Sequence, residues 1–250
     1  MTGLATLNAA LAAAAPRLLS VDVFDTLLLR RTRPEYRRFI DVAQLQDIAL
    51  APASPGADRL LSTRLSVTRR AYAAVRDGTG RGEVQFTAIL AEMCRELGLD
   101  TAAIALLEQV ELDYETSVLT PNRRLAEALN ATGIPIAAVS DTPLSAAAVA
   151  TLLRRLLPEL VIARLYASSD VGLTKRAGTL FDYLCEREAV RPEHVLHLGD
   201  HPWSDRDMPR QRGLQALHLP RPVLWRWLHG LRHRLIRHTL RRRGLIPPAL

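Results

Sequence analysis

Lysine is almost missing from this chain: of its 33 Lys and Arg residues a single one, Lys175, is lysine. Codon bias with one chance survivor would account for that. So would a position needing a compact ammonium that a planar guanidinium cannot replace. Cysteine is equally scarce. Cys94 and Cys185 make no disulfide framework, no CxxC suggests a thiolate metal site, and the scarcity fits a reducing compartment. No stretch approaches the ~18 continuous apolar residues of a membrane span. The N-terminal MTGLATLNAALAAAAP lacks a basic leader and is closed by Pro16, so it reads as an amphipathic or frayed helix rather than a signal peptide. The expectation is a soluble, cytoplasmic protein. Acidic residues stop at Asp207. Ten arginines follow that point, so against a total of +7 residues 1–207 carry a net −3. With 48% hydrophobic and 24% charged residues, 250 residues suffice for one large domain or for a core with a sizeable insertion.

Short apolar runs alternate with helical patterns, which predicts an α/β fold with a doubly wound parallel sheet. The expected strands are 18–24, 135–140, 161–167, 194–199 and 214–219, with helices over 121–131, 143–156, 176–188 and 206–212. More than a hundred residues separate the first two strands and break the rhythm. They read as helix over 34–48, 57–77, 84–97 and 101–117, with a turn at 77–82 (DGTGRG). The expected organisation is a core of residues 1–30 and 121–220, a helical insertion over 31–120, and a basic amphipathic tail over 221–250.

Ligands of an open parallel sheet bind beyond the carboxyl ends of its strands. Four of the five expected strands carry reactive residues there: Asp22, Asp25 and Thr26; Ser140 and Asp141; the loop SSDVGLTK with Lys175; and GDHPWSD with Asp200 and Asp205. Each alone would more often be a turn former or helix cap. Together, and with the only lysine among them, they are harder to dismiss. Clustered carboxylates call for a divalent cation, and oxygen-only ligands favour Mg2+. Lys175, Ser140 and loop amides could then receive an anionic substrate. A carboxylate facing a metal-bound phosphate is equipped for displacement through an acyl phosphate.

The series resembles the haloacid dehalogenase-like superfamily of aspartate-nucleophile hydrolases, most of them phosphatases. Its four motifs stand in order as Asp22-Val-Phe-Asp-Thr26, Ser140 after an apolar strand, Lys175, and Gly199-Asp200 followed by Asp205. The combination SxDxFDTLLLR, SD, GLTKRAG and HLGDHPWSD is similar to a bacterial branch of that superfamily. The resemblance implies that the insertion is a helical cap and that Asp22 is nucleophile and metal ligand. It implies that Phe24 lends its backbone carbonyl to Mg2+, that Asp200 is a ligand, and that Asp205 binds the ion or orients its waters. Ser140 would donate to the transferring phosphoryl group, Lys175 would balance charge, and Thr26 and Asp141 would line the substrate, a phosphorylated small molecule.

One departure matters. Phosphatases of this kind place a second Asp, the general acid and base, two residues after the nucleophile, where this chain has Phe24. Its loss typically costs 10²–10⁴-fold, less for a good leaving group such as an acyl phosphate. The alternative reading is a catalytically weak or silent domain that binds a phosphorylated ligand or a protein partner. Dehalogenases carry an aromatic residue at that position but lack the acidic pair of the fourth motif, and are a poor runner-up. Asp25 is read as extended strand facing away, bracing the loop. His201 is read as solvated, Glu108, Glu111 and Glu115 as a solvated helix face, and both cysteines as core.

In the tail, Leu224, Trp227, Leu228, Leu231 and Leu235 share a face while Arg226, His233 and Arg237 lie opposite. The apolar face packing on the protein is the preferred reading. Attachment of residues 221–243 to an anionic membrane surface, peripherally, or to an acidic partner is the second. Specific nucleic-acid binding is not expected, since no known binding motif accompanies the charge.

Overall fold

A computed structural model describes residues 2–78 and 83–246. The turn read at 77–82 lies, from residue 79 on, outside the described residues. The chain forms two compact units: Met1–Arg30, Gly78–Glu83 and Leu119–Arg221 in one, and Arg31–Asp77, Val84–Val118 and Pro222–Leu250 in the other.

Among its described residues the first unit carries seven strands: β1 (Leu18–Val21), β2 (Leu28–Arg30), β3 (Leu119–Pro121), β4 (Ile136–Ser140), β5 (Arg164–Ala167), β6 (Val195–Gly199) and β7 (Gln215–His218). Five of them form a parallel sheet in the order β5-β4-β1-β6-β7. The strands β1, β4 and β6 are buried along their whole length, which is why they read as unbroken apolar runs rather than alternating ones. On one face Leu18, Val139, Tyr166 and Val195 pack with Leu180, Phe181 and Leu184 of the helix Thr179–Arg187. Strand order reverses about β1, so its carboxyl end, flanked by those of β4 and β6, is where a ligand site is expected.

Two features of this unit were not legible beforehand. Strands β2 and β3, at the points where the chain leaves for the insertion and returns, pair as an antiparallel ribbon (Leu28 with Pro121, Arg30 with Leu119). And β1 ends at Val21, not at Phe24. Residues 23–27 form a tight turn in which the Leu27 and Leu28 N–H groups both donate to the Val23 carbonyl, at 2.9 and 2.8 Å. Asp25 sits there at φ 65°, a left-handed conformation Asp tolerates better than most residues. The extended geometry expected at Asp25 is therefore corrected to a turn.

The second unit is helical: Glu35–Ala49, Ala57–Gly78, Phe86–Leu97, Ala102–Val118 and Val223–Arg242. Its buried residues include Leu60, Leu61, Phe86, Ile89, Leu90 and Met93. Glu111 and Glu115, read as solvated, are buried instead. Glu115 pairs with Arg38, and Glu111 with Arg64 at 3.4 Å, the Arg64 guanidinium lying between the Phe39 and Phe86 rings. Arginine stems hide inside an interior when the head has both a carboxylate and an aromatic face to meet, and helical spacing alone cannot reveal that. The last helix belongs to this unit, packing against Glu35–Ala49, whereas the sequence set it apart as a separate tail. Among the described residues no helix is long and apolar enough to cross a membrane.

Candidate active site

The residues singled out at the strand ends converge. Asp22 leaves β1, Ser140 closes β4, and Asp200 follows β6. The Lys175 ammonium, 2% exposed, reaches Asp22 Oδ1 at 2.5 Å and Asp205 Oδ1 at 2.7 Å. Thr26 donates its hydroxyl to Asp22 Oδ2 at 3.0 Å, so it orients the carboxylate, a different task from the substrate contact expected of it. Asp141 is also redirected. Its two carboxylate oxygens accept the backbone N–H groups of Lys175 (2.6 Å) and Arg176 (3.1 Å), fixing the loop that presents the lysine. Ser168 ties the same region down by accepting the Thr142 N–H at 2.8 Å.

Three donors meet Asp205: Lys175 and His197 at Oδ1, and the His201 N–H at Oδ2 at 2.9 Å. Gly199 makes room for it, since a Cβ there would lie 2.4 Å from Asp205 Cγ. With three protein donors in place Asp205 anchors Lys175, and it still offers an oxygen within 4.8 Å of those of Asp22 and Asp200. His201 is exposed, as the sequence suggests, and its Nδ1 accepts the N–H groups of Trp203 and Ser204, capping the turn Pro202–Asp207.

The sequence reading missed the group behind Asp205. His197, fully buried in β6, presents Nε2 to Asp205 Oδ1 at 3.1 Å and Nδ1 to Ser20 Oγ of β1 at 2.8 Å. Parallel register pairs Ser20 with His197, and the Phe181 ring and the imidazole meet edge to face, their centres 4.8 Å apart. A carboxylate only accepts, so Nε2 carries the proton and Nδ1 accepts from serine. Burial lowers the imidazole pKa, consistent with that neutral form. The signal was available: two polar residues inside otherwise apolar strands, each just before a motif acid. Replacing His197 with Ala is expected to cost about 1.5–3 kcal/mol, the worth of a buried hydrogen bond to a charge, read as a lower urea midpoint. His197→Gln, which keeps a donor, is expected to recover part of that loss.

Charge decides what else the site wants. Fully ionised, Asp22, Asp200 and Asp205 outnumber the single ammonium and leave two negative charges in a poorly solvated place. Burial pushes Asp22 up to about 7 against the pull of Lys175, and burial with Asp25 and Asp205 nearby pushes Asp200 up to about 7. Burial would raise Asp205 too, but Lys175 and His197 outweigh it and hold that group well below the usual range. Lys175 is held above the usual lysine range because Asp205 and Asp22 outweigh its burial. The three acids each offer an oxygen within 4.8 Å of the others. A hard divalent cation fits this donor set and its uncompensated charge.

The sign of the pH dependence follows. Asp22 and Asp200 have folded pKa values above their unfolded ones, so their stabilisation is present at low pH and lost as pH rises through about 7. The thermal midpoint of metal-free protein is expected to fall from about pH 4 to about pH 7 and to level off above it, and excess Mg2+ to offset the fall. Because a cation binds ionised carboxylates, its apparent affinity is expected to rise between about pH 6 and pH 8 about tenfold per proton released, about a hundredfold for two. Calorimetric titrations at the two pH values check this, with Asp22→Asn as the one-proton control.

At the position of the missing acid, the Phe24 side chain, 9% exposed, lies under the Arg30 guanidinium, 4.1 Å from the ring centre. Asp25 accepts the Arg30 N–H at 3.0 Å and lies within 4.0 Å of the Arg30 and Arg221 guanidinium groups. It braces the turn and does not replace the acid.

An α/β core that gathers Asp22, Ser140, Lys175 and an acidic pair at the carboxyl ends of its strands defines a class of aspartate-centred hydrolases. The chain belongs to the haloacid dehalogenase-like hydrolases, matching that family over residues 16–213. No curated protein sequence matches it. Among solved structures it is similar to a 2-haloacid dehalogenase from Pseudomonas syringae pv. Tomato DC3000, at 18% identity over 81% of this chain and 86% of that one, with a TM-score of 0.54. An L-2-haloacid dehalogenase is similar at 21% identity over 84% and 87%, again with a TM-score of 0.54. An enzyme of this family from Bacteroides thetaiotaomicron, solved with magnesium and inorganic phosphate, is similar at 12% identity over 81% and 93%, with a TM-score of 0.50. At such identities the likeness establishes the fold.

Proposed function

We propose that this hydrolase is a Mg2+-dependent phosphatase acting on a phosphorylated small molecule through Asp22. The observation that carries the reading is the Asp22 carboxylate held between Lys175 and Thr26, within reach of Asp200. An intact acidic pair is metal-site chemistry, which halide displacement does not need. Asp22 and Asp200 would hold the ion, with Asp205 behind them and the Phe24 carbonyl as a further oxygen in the turn. When bound, Mg2+ supplies neutralisation of the carboxylates and of the phosphoryl oxygens.

An Asp22 oxygen attacks phosphorus, forming the aspartyl phosphate while the bond from phosphorus to the leaving oxygen breaks. Lys175 keeps the attacking carboxylate in place and offsets charge, and the Ser140 hydroxyl donates to a phosphoryl oxygen. Water then attacks the acyl phosphate, releasing inorganic phosphate and a proton and restoring Asp22. No side chain at position 24 can protonate the leaving group, which favours substrates whose leaving group departs as a stable anion, acyl phosphates first.

Phe24 also motivates a second reading, a catalytically silent domain that binds a phosphorylated ligand or a protein partner. One experiment separates the two: hydrolysis of acyl, aryl and alkyl phosphates with Mg2+ or EDTA, by wild type and Asp22→Asn. Metal-dependent turnover lost in the variant establishes the phosphatase. Metal-dependent binding of phosphate compounds without turnover establishes the second reading, and halide release from 2-haloacids in EDTA would overturn both.

A further inference from the structure

The helix Val223–Arg242 has two apolar faces, and only one is used inside the protein. Along the inner face Leu240 is fully buried, Trp225 and His229 stack at 4.9 Å, and His233 stacks on Tyr36 at 5.8 Å. Ile236 and Arg237 complete that side. This reverses the preferred sequence reading, in which His233 and Arg237 faced water and the leucine face packed. Most of the leucine face, with only Leu228 half-buried, is instead in solvent: Leu224 is 68% exposed, Trp227 58%, Leu231 36% and Leu235 61%.

Those four residues follow one another at steps of three, four and four, a straight stripe about 16 Å long at the helical rise. A helix needs one apolar face to be held in a fold. A second, aligned and bare, is the kind of patch that marks an interaction surface. Its surroundings narrow the partner. Arg234 and Arg241 run along one side of the stripe and Arg232, which donates to the Thr32 carbonyl, along the other, while Arg242 lies beyond its end. No acidic residue follows Asp207 anywhere in the chain.

We propose that this face docks on the surface of an anionic phospholipid bilayer. Leu224, Leu231 and Leu235 would enter the boundary between headgroups and acyl chains, and Trp227 would sit at headgroup level. Arg234 and Arg242, both exposed, would meet lipid phosphates. The helix lies in the interface and does not span it. A protein groove could satisfy the same charge but would have to match a particular relief. A narrow stripe flanked by cations on both sides asks only for a continuous anionic surface with an apolar layer beneath.

The test is co-sedimentation of the full chain with phosphatidylcholine vesicles and with vesicles containing a quarter phosphatidylglycerol, at low and high salt. Binding to the anionic vesicles only, weakened by salt, is expected. Trp227→Ser/Leu231→Ser and, separately, Arg234→Gln/Arg242→Gln are each expected to lower partitioning about tenfold or more. All altered side chains lie on the surface, so circular dichroism and the thermal midpoint are expected to stay unchanged.

Absence of binding to either vesicle overturns the proposal. So does binding that survives the Trp227/Leu231 change, which would be charge adhesion from elsewhere. Concentration-dependent dimerisation that this change abolishes would assign the face to a second copy. Equally tight, equally sensitive binding to polyglutamate would assign it to an acidic protein.

Discussion

Lys175→Arg is expected to reduce metal-dependent turnover by about 10³-fold or more and to destabilise the fold by about 3–5 kcal/mol, although it keeps the charge. One nitrogen serves two carboxylates on different elements, at 2.5 and 2.7 Å, in a space that leaves the side chain 2% exposed. A guanidinium is wider, planar and delocalised. To meet both Asp22 and Asp205 it would have to push one of them away, and the Gly199 backbone stands directly behind Asp205. Lys175→Met fails differently: it leaves the site's carboxylates with no internal cation, so its loss of stability is expected to be partly recovered at low pH, whereas that of Lys175→Arg is not. Steady-state rates and urea midpoints of the two variants check both statements. Turnover of Lys175→Arg within tenfold of wild type would return the lone lysine to codon bias.

The lysine shows why this site was legible. Catalytic carboxylates and their counter-cation are local violations of an apolar strand pattern, and the sheet's parallel order gathers the strand ends whatever else varies. The five core strands and the insertion helices followed from the same periodicity. What could not be read was which oxygen faces what. Thr26 and Asp141 stand in the right loops, but their partners are Asp22 and the Lys175 loop backbone, a matter of turn geometry that spacing does not encode. His197 and Ser20 were visible as polar intrusions, and only the parallel register that pairs them turns two oddities into one network.

The last helix failed in the opposite sense. Its leucine stripe was correctly traced, yet periodicity says which residues share a face and nothing about which face turns inward. Trp225 stacks along the inner side with His229 and His233, whose rings supply apolar area under polar labels. Glu111 and Glu115 were misread for a related reason: a buried ion pair between two helices looks, in either helix alone, like a solvated charge.

Phe24→Asp is expected to raise hydrolysis of alkyl phosphates by about 10²–10⁴-fold while changing that of acyl phosphates little. The difference lies in the leaving group. An alkoxide needs a proton as the bond to phosphorus breaks, whereas a carboxylate leaves without one. In wild type nothing at position 24 can give that proton, because the side chain is an aromatic ring covered by Arg30 at 4.1 Å. A carboxyl group introduced there would find the same guanidinium above it. The pairing lowers its pKa and weakens it as an acid, so the gain is expected toward the lower end of the range, and larger in Phe24→Asp/Arg30→Gln. A plot of log kcat/KM against leaving-group pKa is therefore expected to be steep for wild type and shallower for Phe24→Asp. Parallel lines would mean that wild type draws its proton from a group other than residue 24. A flat wild-type line would mean that phosphorus chemistry does not limit the reaction at all.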